Sequence, residues 1–386
     1  MIFLKEILFL GLTAFGGPGA HFALFQRNLV QKRAYLTLPE LLEIHSFCSM
    51  LPGPTSTQMI TIIGYKQGGN LMAVLSLVIW FLPACISMTF FSLIWHITDK
   101  RNIPLDALQF IPAMAVGFIA AASFQVVKYI KKSSLSIILY GLGAICAVLF
   151  RSPWIFPVLI LLGGFVSHGL SKQEFSQIKP NIKIPWRSAS WLVGILIVSA
   201  AIGNFTQWKP LLLFENAYQY GCIVFGGGNV LIPMMFKQYV TFKGYVSAAD
   251  FMTGIGLVQA IPGPIFSIST FVNAMAMEAY GPGGQVVGAL IGTVGIFLPG
   301  FLIVMFLYPL WNQIKEHHII KRALDGIIAV SAGLILAAAY LMFREIPYKN
   351  EYLMTFVVTL ILILTNKIPS PVIVIVTIVA GFLYHG

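Results

Sequence analysis

The stretch Leu51-Pro52-Gly53-Pro54-Thr55-Ser56-Thr57-Gln58 decides the fold, because Ile261-Pro262-Gly263-Pro264-Ile265-Phe266-Ser267 repeats it 210 residues downstream. Each copy sits inside a long apolar region, where two prolines flanking a glycine cannot lie within an unbroken helix. Other pairs keep the same spacing: Phe15-Gly16-Gly17 returns as Phe225-Gly226-Gly227, Arg27 as Lys237, Arg33 as Lys243 and Tyr35 as Tyr245. Thr37-Leu38-Pro39-Glu40 returns as Ser247-Ala248-Ala249-Asp250, so the register runs without a gap from residue 15 to 57. The chain is read as a duplication built on interrupted helices.

The surroundings of these breaks are apolar throughout. Hydrophobic residues make up 58% of the 386 positions and charged residues 10%, with a mean hydropathy of +0.86. A soluble chain carries about 25% charged residues. Apolar runs of bilayer-spanning length recur from end to end, which predicts an all-α polytopic membrane protein whose partner is the lipid bilayer. The longest polar stretch is only Ser171 to Arg187, too short for a soluble domain of useful size. The net charge of +11 is read as loop charge that sets orientation and attracts anions, with no nucleic-acid partner. Cys48, Cys85, Cys146 and Cys222 lack metal-ligand spacing and read as buried hydrophobes. The first apolar run, Ile2 to Ala14, leads into a glycine-rich break rather than a cleavage site, so no cleavable signal is expected.

Three regions follow: a first repeat over 1–169, a basic linker with one connecting helix over 170–210, and a second repeat over 211–386. Each repeat opens with two broken elements, about 2–30 and 37–65 in the first and 211–240 and 247–280 in the second. Ordinary spans follow. Small insertions shift the later register, so that Phe81-Leu82-Pro83 recurs as Phe297-Leu298-Pro299 and Gly117 as Gly333. The number of crossings between corresponding starts is odd if every broken element crosses, and also odd if both re-enter. Either way the repeats are predicted to be inverted, with half-helices meeting near the bilayer midplane. Only one crossing and one re-entrant element would make them parallel. Lysine and arginine are richer on the side holding the N-terminus, which places that end in the cytoplasm and the C-terminus outside.

Unwound backbone inside a bilayer is tolerated only where protein or water surrounds it. A half-helix starting after Pro54 presents free amides and the positive end of its dipole beside the hydroxyls of Thr55, Ser56 and Thr57 and the amide of Gln58. The half-helix after Gly17-Pro18-Gly19 offers a second such end, and inverted repeats would bring four together, as in a secondary transporter. A tetrahedral dianion suits donors of this kind, since no fixed cation need sit at the membrane centre when the site is empty. The candidate substrate residues are therefore Gly16, Gly17, Pro18, His21, Pro52, Gly53, Pro54 and Thr55 to Gln58, with Gly226, Gly227, Gly228, Asn229, Pro262, Gly263, Pro264 and Ser267 in the second repeat. Because Ile265-Phe266-Ser267 replaces Thr55-Ser56-Thr57, one asymmetric site dominated by the first repeat is expected.

The charged residues have simpler readings beside the functional ones. Glu40 and Asp250 fit capping boxes. Arg27, Arg33, Lys237 and Lys243 are either anion-attracting mouths or snorkelling interfacial side chains. His21 could hydrogen-bond an oxyanion or be a satisfied buried histidine. Glu43, His45 and Glu278 are the coupling candidates. No catalytic constellation, metal cluster or cofactor loop is visible.

At these residues the chain resembles the chromate ion transporter family in its long, two-domain form. The matching pieces are Phe15-Gly16-Gly17-Pro18 with Ala20-His21, Arg27 and Lys32-Arg33, Leu51-Pro52-Gly53-Pro54 with Ser56 and Gln58, Phe225-Gly226-Gly227-Gly228 with Ile232-Pro233, Pro262-Gly263-Pro264 followed by Phe271-Val272, and Phe297-Leu298-Pro299. Tyr35 departs from the usual tryptophan, and Asn229 stands where an aromatic residue is common. The resemblance implies an inner-membrane, antiporter-like exporter of chromate in a bacterium or archaeon, with sulfate as the natural look-alike and two halves of opposite topology. Association as a homodimer stays open. The rival functions are an anion channel using the same helix ends and a membrane enzyme acting on phosphorylated lipids.

Overall fold

Hydrophobic segments this long, with their breaks at glycine and proline, can satisfy their backbone only as helices. The computed structural model bears this out: it is all helix, with no strand among the described residues, which are 2–15, 17–100, 109–127, 133–150, 155–169, 186–225, 228–311, 318–365 and 367–385. The first repeat contains α1 (Ile2–Thr13), α2 (Gly17–Phe25) continued as a π-helix (Gln26–Lys32), α3 (Leu38–Ser49), α4 (Thr55–Lys100), α5 (Ile111–Val127), α6 (Ser134–Leu149) and α7 (Ile155–Gly169). The connecting helix is α8 (Trp186–Thr206). The second repeat contains α9 (Lys209–Ile223), α10 (Gly228–Met235) with its π-helix (Phe236–Phe242), α11 (Ala248–Ala260), α12 (Ile268–Ala276), α13 (Gly281–Leu307), α14 (His318–Phe343), α15 (Asn350–Thr365) and α16 (Ser370–His385). Much of the linker lies outside the described residues.

The broken elements fold back on themselves. Arg33, at the end of the first π-helix, pairs with Glu6 near the start of α1, and Phe3 meets the Tyr35 ring edge-on at 5.1 Å. The next element closes the same way, with Lys66 donating to Glu40 at 2.5 Å and Gln67 to the Tyr35 carbonyl at 3.0 Å. In the second repeat Gln238 donates to Asn216 at 2.8 Å, and the Lys209 ammonium lies 5.5 Å from the centre of the Tyr245 ring. Each is a hairpin of half-helices. The first arm of α4, residues 55–67, is about 20 Å long, well short of a 30 Å hydrocarbon core.

Two glycines make the next turn possible. Gly69 (φ 68°, ψ −157°) ends the first arm of α4, and Gly281 (φ 72°, ψ −171°) does the same before α13, in a region open essentially to glycine alone. Residues 70–100 of α4 and all of α13 then run back as long helices. The Trp80 indole N–H reaches Thr57 across this hairpin, and the Ser269 hydroxyl reaches the Gly292 carbonyl in its counterpart. Among the described residues three stretches, Thr55–Trp95, Glu278–Leu310 and Asp325–Phe343, are long and apolar enough to cross a membrane, and the first two contain these turns.

The later spans interlock. α6 packs on α14 and α15 on α5, so each repeat's helix lies against the other repeat's. Small residues permit it: Gly117 faces the Phe356 carbonyl and Gly333 the Tyr140 carbonyl, closely enough that a methyl group would collide. The outer faces carry exposed Leu71, Ile86, Phe90, Phe165 and Phe205. Such a surface would aggregate in water and suits lipid.

Candidate functional site

The site begins with the two proline-glycine-proline turns. Gly53 (φ 110°) and Gly263 (φ 115°) hold matched left-handed conformations. The Gly53 amide donates to the Val224 carbonyl at 2.7 Å, and the Gly263 amide to the Ala14 carbonyl at 2.8 Å. Val224 and Ala14 are the residues just before the two glycine breaks. Four interruptions from two repeats are therefore tied together by one reciprocal pair of backbone hydrogen bonds. Gly300 lies over Gly53 as Ala84 lies over Gly263, and the equivalent rings of Phe81 and Phe297 stack at 4.7 Å, one helical turn from these contacts.

Around the first turn the side chains are committed in distinct ways. Gln58 Nε2 donates back to the Pro52 carbonyl at 2.7 Å, closing the turn, and leaves Oε1 buried without a partner. Thr57 Oγ1 accepts from Trp80 Nε1 at 3.1 Å. Ser56 is buried and Thr55 half-buried at the helix start, where first-turn amides have no carbonyl within the helix to bond. His21 is 1% exposed; its Nε2 faces the Ala14 carbonyl at 3.2 Å, so Nε2 carries the proton and Nδ1 is a buried lone pair with no partner. Its ring meets Trp80 edge-on at 5.3 Å. Pro54 and Gly228 are buried, and Gly228 packs on Ile265. Ser267, fully buried, has no partner for its hydroxyl. Gly16, Gly226 and Gly227 lie outside the described residues, and Gly17, Pro18 and Asn229 carry no side-chain description.

The four basic candidates sit in different surroundings. Lys237 is 3% exposed and donates to the Ala147 carbonyl at 2.6 Å and to that of Phe150. It caps the C-terminal end of α6, where free carbonyls and the helix dipole favour a cation, and this corrects the expectation of a charge at an entrance. Arg33 is paired with Glu6, while Arg27 and Lys243 are exposed.

The coupling candidates separate too. Glu43 accepts from Trp311 Nε1 at 3.0 Å beside a cavity of about 330 Å³ lined by Glu40, Glu43, Tyr65, Lys66, Tyr308 and Trp311. His45 meets Phe22 edge-on, and Glu278 lies in the short turn between α12 and α13. Glu40 completes its capping box with Thr37, and Lys66 together with that cap pulls its carboxyl down to about 2.

Sequence reasoning passed over Trp80 and a buried polar cluster in the second repeat. There Thr270 bonds Thr293 at 2.8 Å, Asn273 donates to the Ser269 carbonyl at 2.8 Å, and Tyr239 donates to Asn273 at 3.0 Å. Polar residues at 269, 270 and 273, one helical turn deep in an apolar run, were the available signal.

The chromate transporter family model matches residues 2–168 and 211–383. The chain belongs to that family. It is a family of transporters, not enzymes, and two matches in one chain are the two-domain form with its two homologous repeats. Among similar proteins, an uncharacterized transporter of Methanocaldococcus jannaschii is 25% identical over 99% of this chain and 93% of its own length. A chromate transport protein of Pseudomonas aeruginosa is 25% identical over 84% of this chain and 76% of its own, and a probable chromate transport protein of Synechococcus elongatus 22% over 98% and 94%. No solved structure matches the chain. For this family member, membership and the apolar outer face together mean a polytopic protein of the membrane.

Proposed function

We propose that the chain is a secondary active exporter of chromate or a related tetrahedral oxyanion such as sulfate, working by alternating access in a bacterial or archaeal cytoplasmic membrane. The anion is held at the half-helix N-termini of the first repeat, by the amides and hydroxyls of Thr55, Ser56 and Thr57, with the second repeat's ends beside them. The observation that carries this is the reciprocal bonding of Gly53 to Val224 and Gly263 to Ala14, which gathers four helix breaks at one place. The buried Ser267 hydroxyl, a donor beside the second break with no partner in the protein, adds independent support, whereas the free Gln58 oxygen and His21 lone pair can only accept. The names of the Pseudomonas and Synechococcus relatives favour chromate.

Alternating access needs two repeats facing opposite ways. Reciprocal contacts, in which one repeat's residue meets the other's partner and vice versa, are what a two-fold relation produces. Near the end of α4, Trp95 donates to Asp250 at the base of the second repeat's hairpins, at 2.8 Å. α13 leads to Trp311, which donates to Glu43 at the base of the first repeat's. The two long helices thus run in opposite senses between two sets of hairpin bases, which supports inversion. With the hairpins re-entrant, five helical passes separate the repeats, an odd number. The excess of basic loops on the N-terminal side then supports an N-terminus inside and a C-terminus outside.

In proteoliposomes, uptake of chromate against its gradient when an ion gradient is imposed is the expected result. Sulfate should compete, and molybdate and phosphate define selectivity. Ser56→Ala is expected to raise the half-saturating chromate concentration by about tenfold, the loss of one hydrogen bond to a charged group. Flux that is strictly downhill under every imposed gradient would make the protein a channel, and unchanged affinity in Ser56→Ala would remove that residue from the site.

A further inference from the structure

Trp80 is fully buried in the return arm of α4, with α1 packed so closely on it that a methyl group on Gly11 would lie 2.9 Å from the Trp80 carbonyl. Its ring touches His21 and Phe25 of α2 edge-on, each at 5.3 Å, and its N–H points to Thr57 in the first turn of the half-helix after Pro54. One side chain thus joins both half-helix starts of the first repeat. The second repeat has Ile296 at the equivalent place, which has no donor.

The chemistry lies in the Thr57 hydroxyl. Helical threonines ordinarily donate to the carbonyl four residues back, as Thr61 does to Thr57 at 2.9 Å. For Thr57 that carbonyl belongs to Gly53, which is in the left-handed turn outside the helix. An indole N–H can only donate, so Thr57 accepts from it and its own proton is left to donate elsewhere. A hydroxyl polarised in this way is a better donor to an oxyanion than one free to rotate.

We propose that Trp80 is the positioning residue of the anion site: it turns the Thr57 proton into a fixed donor and so makes the first repeat, rather than the second, the half that binds the anion. The proposal rests on the reading of the Thr55–Thr57 helix start as that site.

The test measures half-saturating chromate and sulfate concentrations, maximal rate and thermal stability in the purified full chain reconstituted in vesicles. Trp80→Phe, which keeps an aromatic ring and loses the donor, is expected to raise the half-saturating concentration about three- to tenfold with the maximal rate little changed. Thr57→Val should raise it at least as much, Thr57→Ser should stay near wild type, and Trp80→Phe should add nothing in the Thr57→Val background. If Trp80→Phe does not fold, a benzothienyl analogue of tryptophan at position 80 keeps the ring size and removes only the N–H, and the same shift is expected. Unchanged affinity in the donor-less variant, or full additivity with Thr57→Val, would overturn the role given to Trp80. Normal affinity in Thr57→Val would instead overturn the site itself.

Discussion

Gly53→Ala is expected to lower the unfolding free energy by about 1–3 kcal/mol and to reduce anion transport more than tenfold. The backbone angle φ of 110° is one that an L side chain rarely adopts, and an added Cβ would lie 3.0 Å from Gln58 Nε2 and 3.4 Å from the Gly300 Cα. Relief requires moving the turn, which shifts the amide off Val224 and rotates the half-helix whose first residues are the proposed donors. Gly263→Ala should behave alike, since φ is 115° and the new methyl group would lie 2.8 Å from the Ala84 side chain. Gly244→Ala is the control. Its φ of 59° is the ordinary left-handed value and nothing lies within 4 Å, so it should cost about 1 kcal/mol and leave transport intact. Detergent unfolding and vesicle uptake measured on the three variants decide it; near-wild-type behaviour of Gly53→Ala in both assays would show that the turn does not position the site.

The second large effect is expected at Gly292, where α13 crosses α12. A Cβ there would run into the Ser269 carbonyl and lie 2.7 Å from Asn273 Nδ2. Both neighbours are fixed, one by backbone and the other by its bonds to Ser269 and Tyr239, so the helices must part. Overpacking of this kind costs about 1–3 kcal/mol, and more where backbone is the obstacle. Separation would also break the Ser269 to Gly292 bond and the Thr270 to Thr293 bond that hold α12 against α13. Gly292→Ala should therefore lose most of its monodisperse protein in size-exclusion chromatography. Gly283→Ala, on the same helix with open space around it, should not. Equal recovery of the two would mean that the α12–α13 contact is not a determinant of the fold.

How much of this was legible depends on the distance over which each feature is written. The breaks at Pro52-Gly53-Pro54 and Pro262-Gly263-Pro264, the capping residues Thr37 and Ser247, and the duplication are local signals or exact spacings, and they were readable. Whether a broken helix crosses or folds back is not local. It turns on Arg33 meeting Glu6 and Lys66 meeting Glu40, pairs separated by 27 and 26 residues in the chain. Lys237 looked like the counterpart of Arg27 at an entrance, because nothing near it in sequence reveals that the end of α6 would supply its carbonyls. Trp80 gave no signal in an apolar run of aromatic and aliphatic residues. Its indole N–H gains meaning only once the Gly69 turn brings Thr57 beside it. The interlocking of α6 with α14 and of α15 with α5 is likewise written between the repeats rather than within either.

Alternating access depends on the two repeats facing opposite sides of the bilayer. Lys32 and Phe242 are equivalent, exposed positions at the open ends of the first hairpin in each repeat. In a chain with Cys48, Cys85, Cys146 and Cys222 replaced, Lys32→Cys and Phe242→Cys should react with a membrane-impermeant maleimide from opposite faces of sealed, oriented vesicles. Labelling of both from the same face would mean parallel repeats, and the alternating-access account would be wrong.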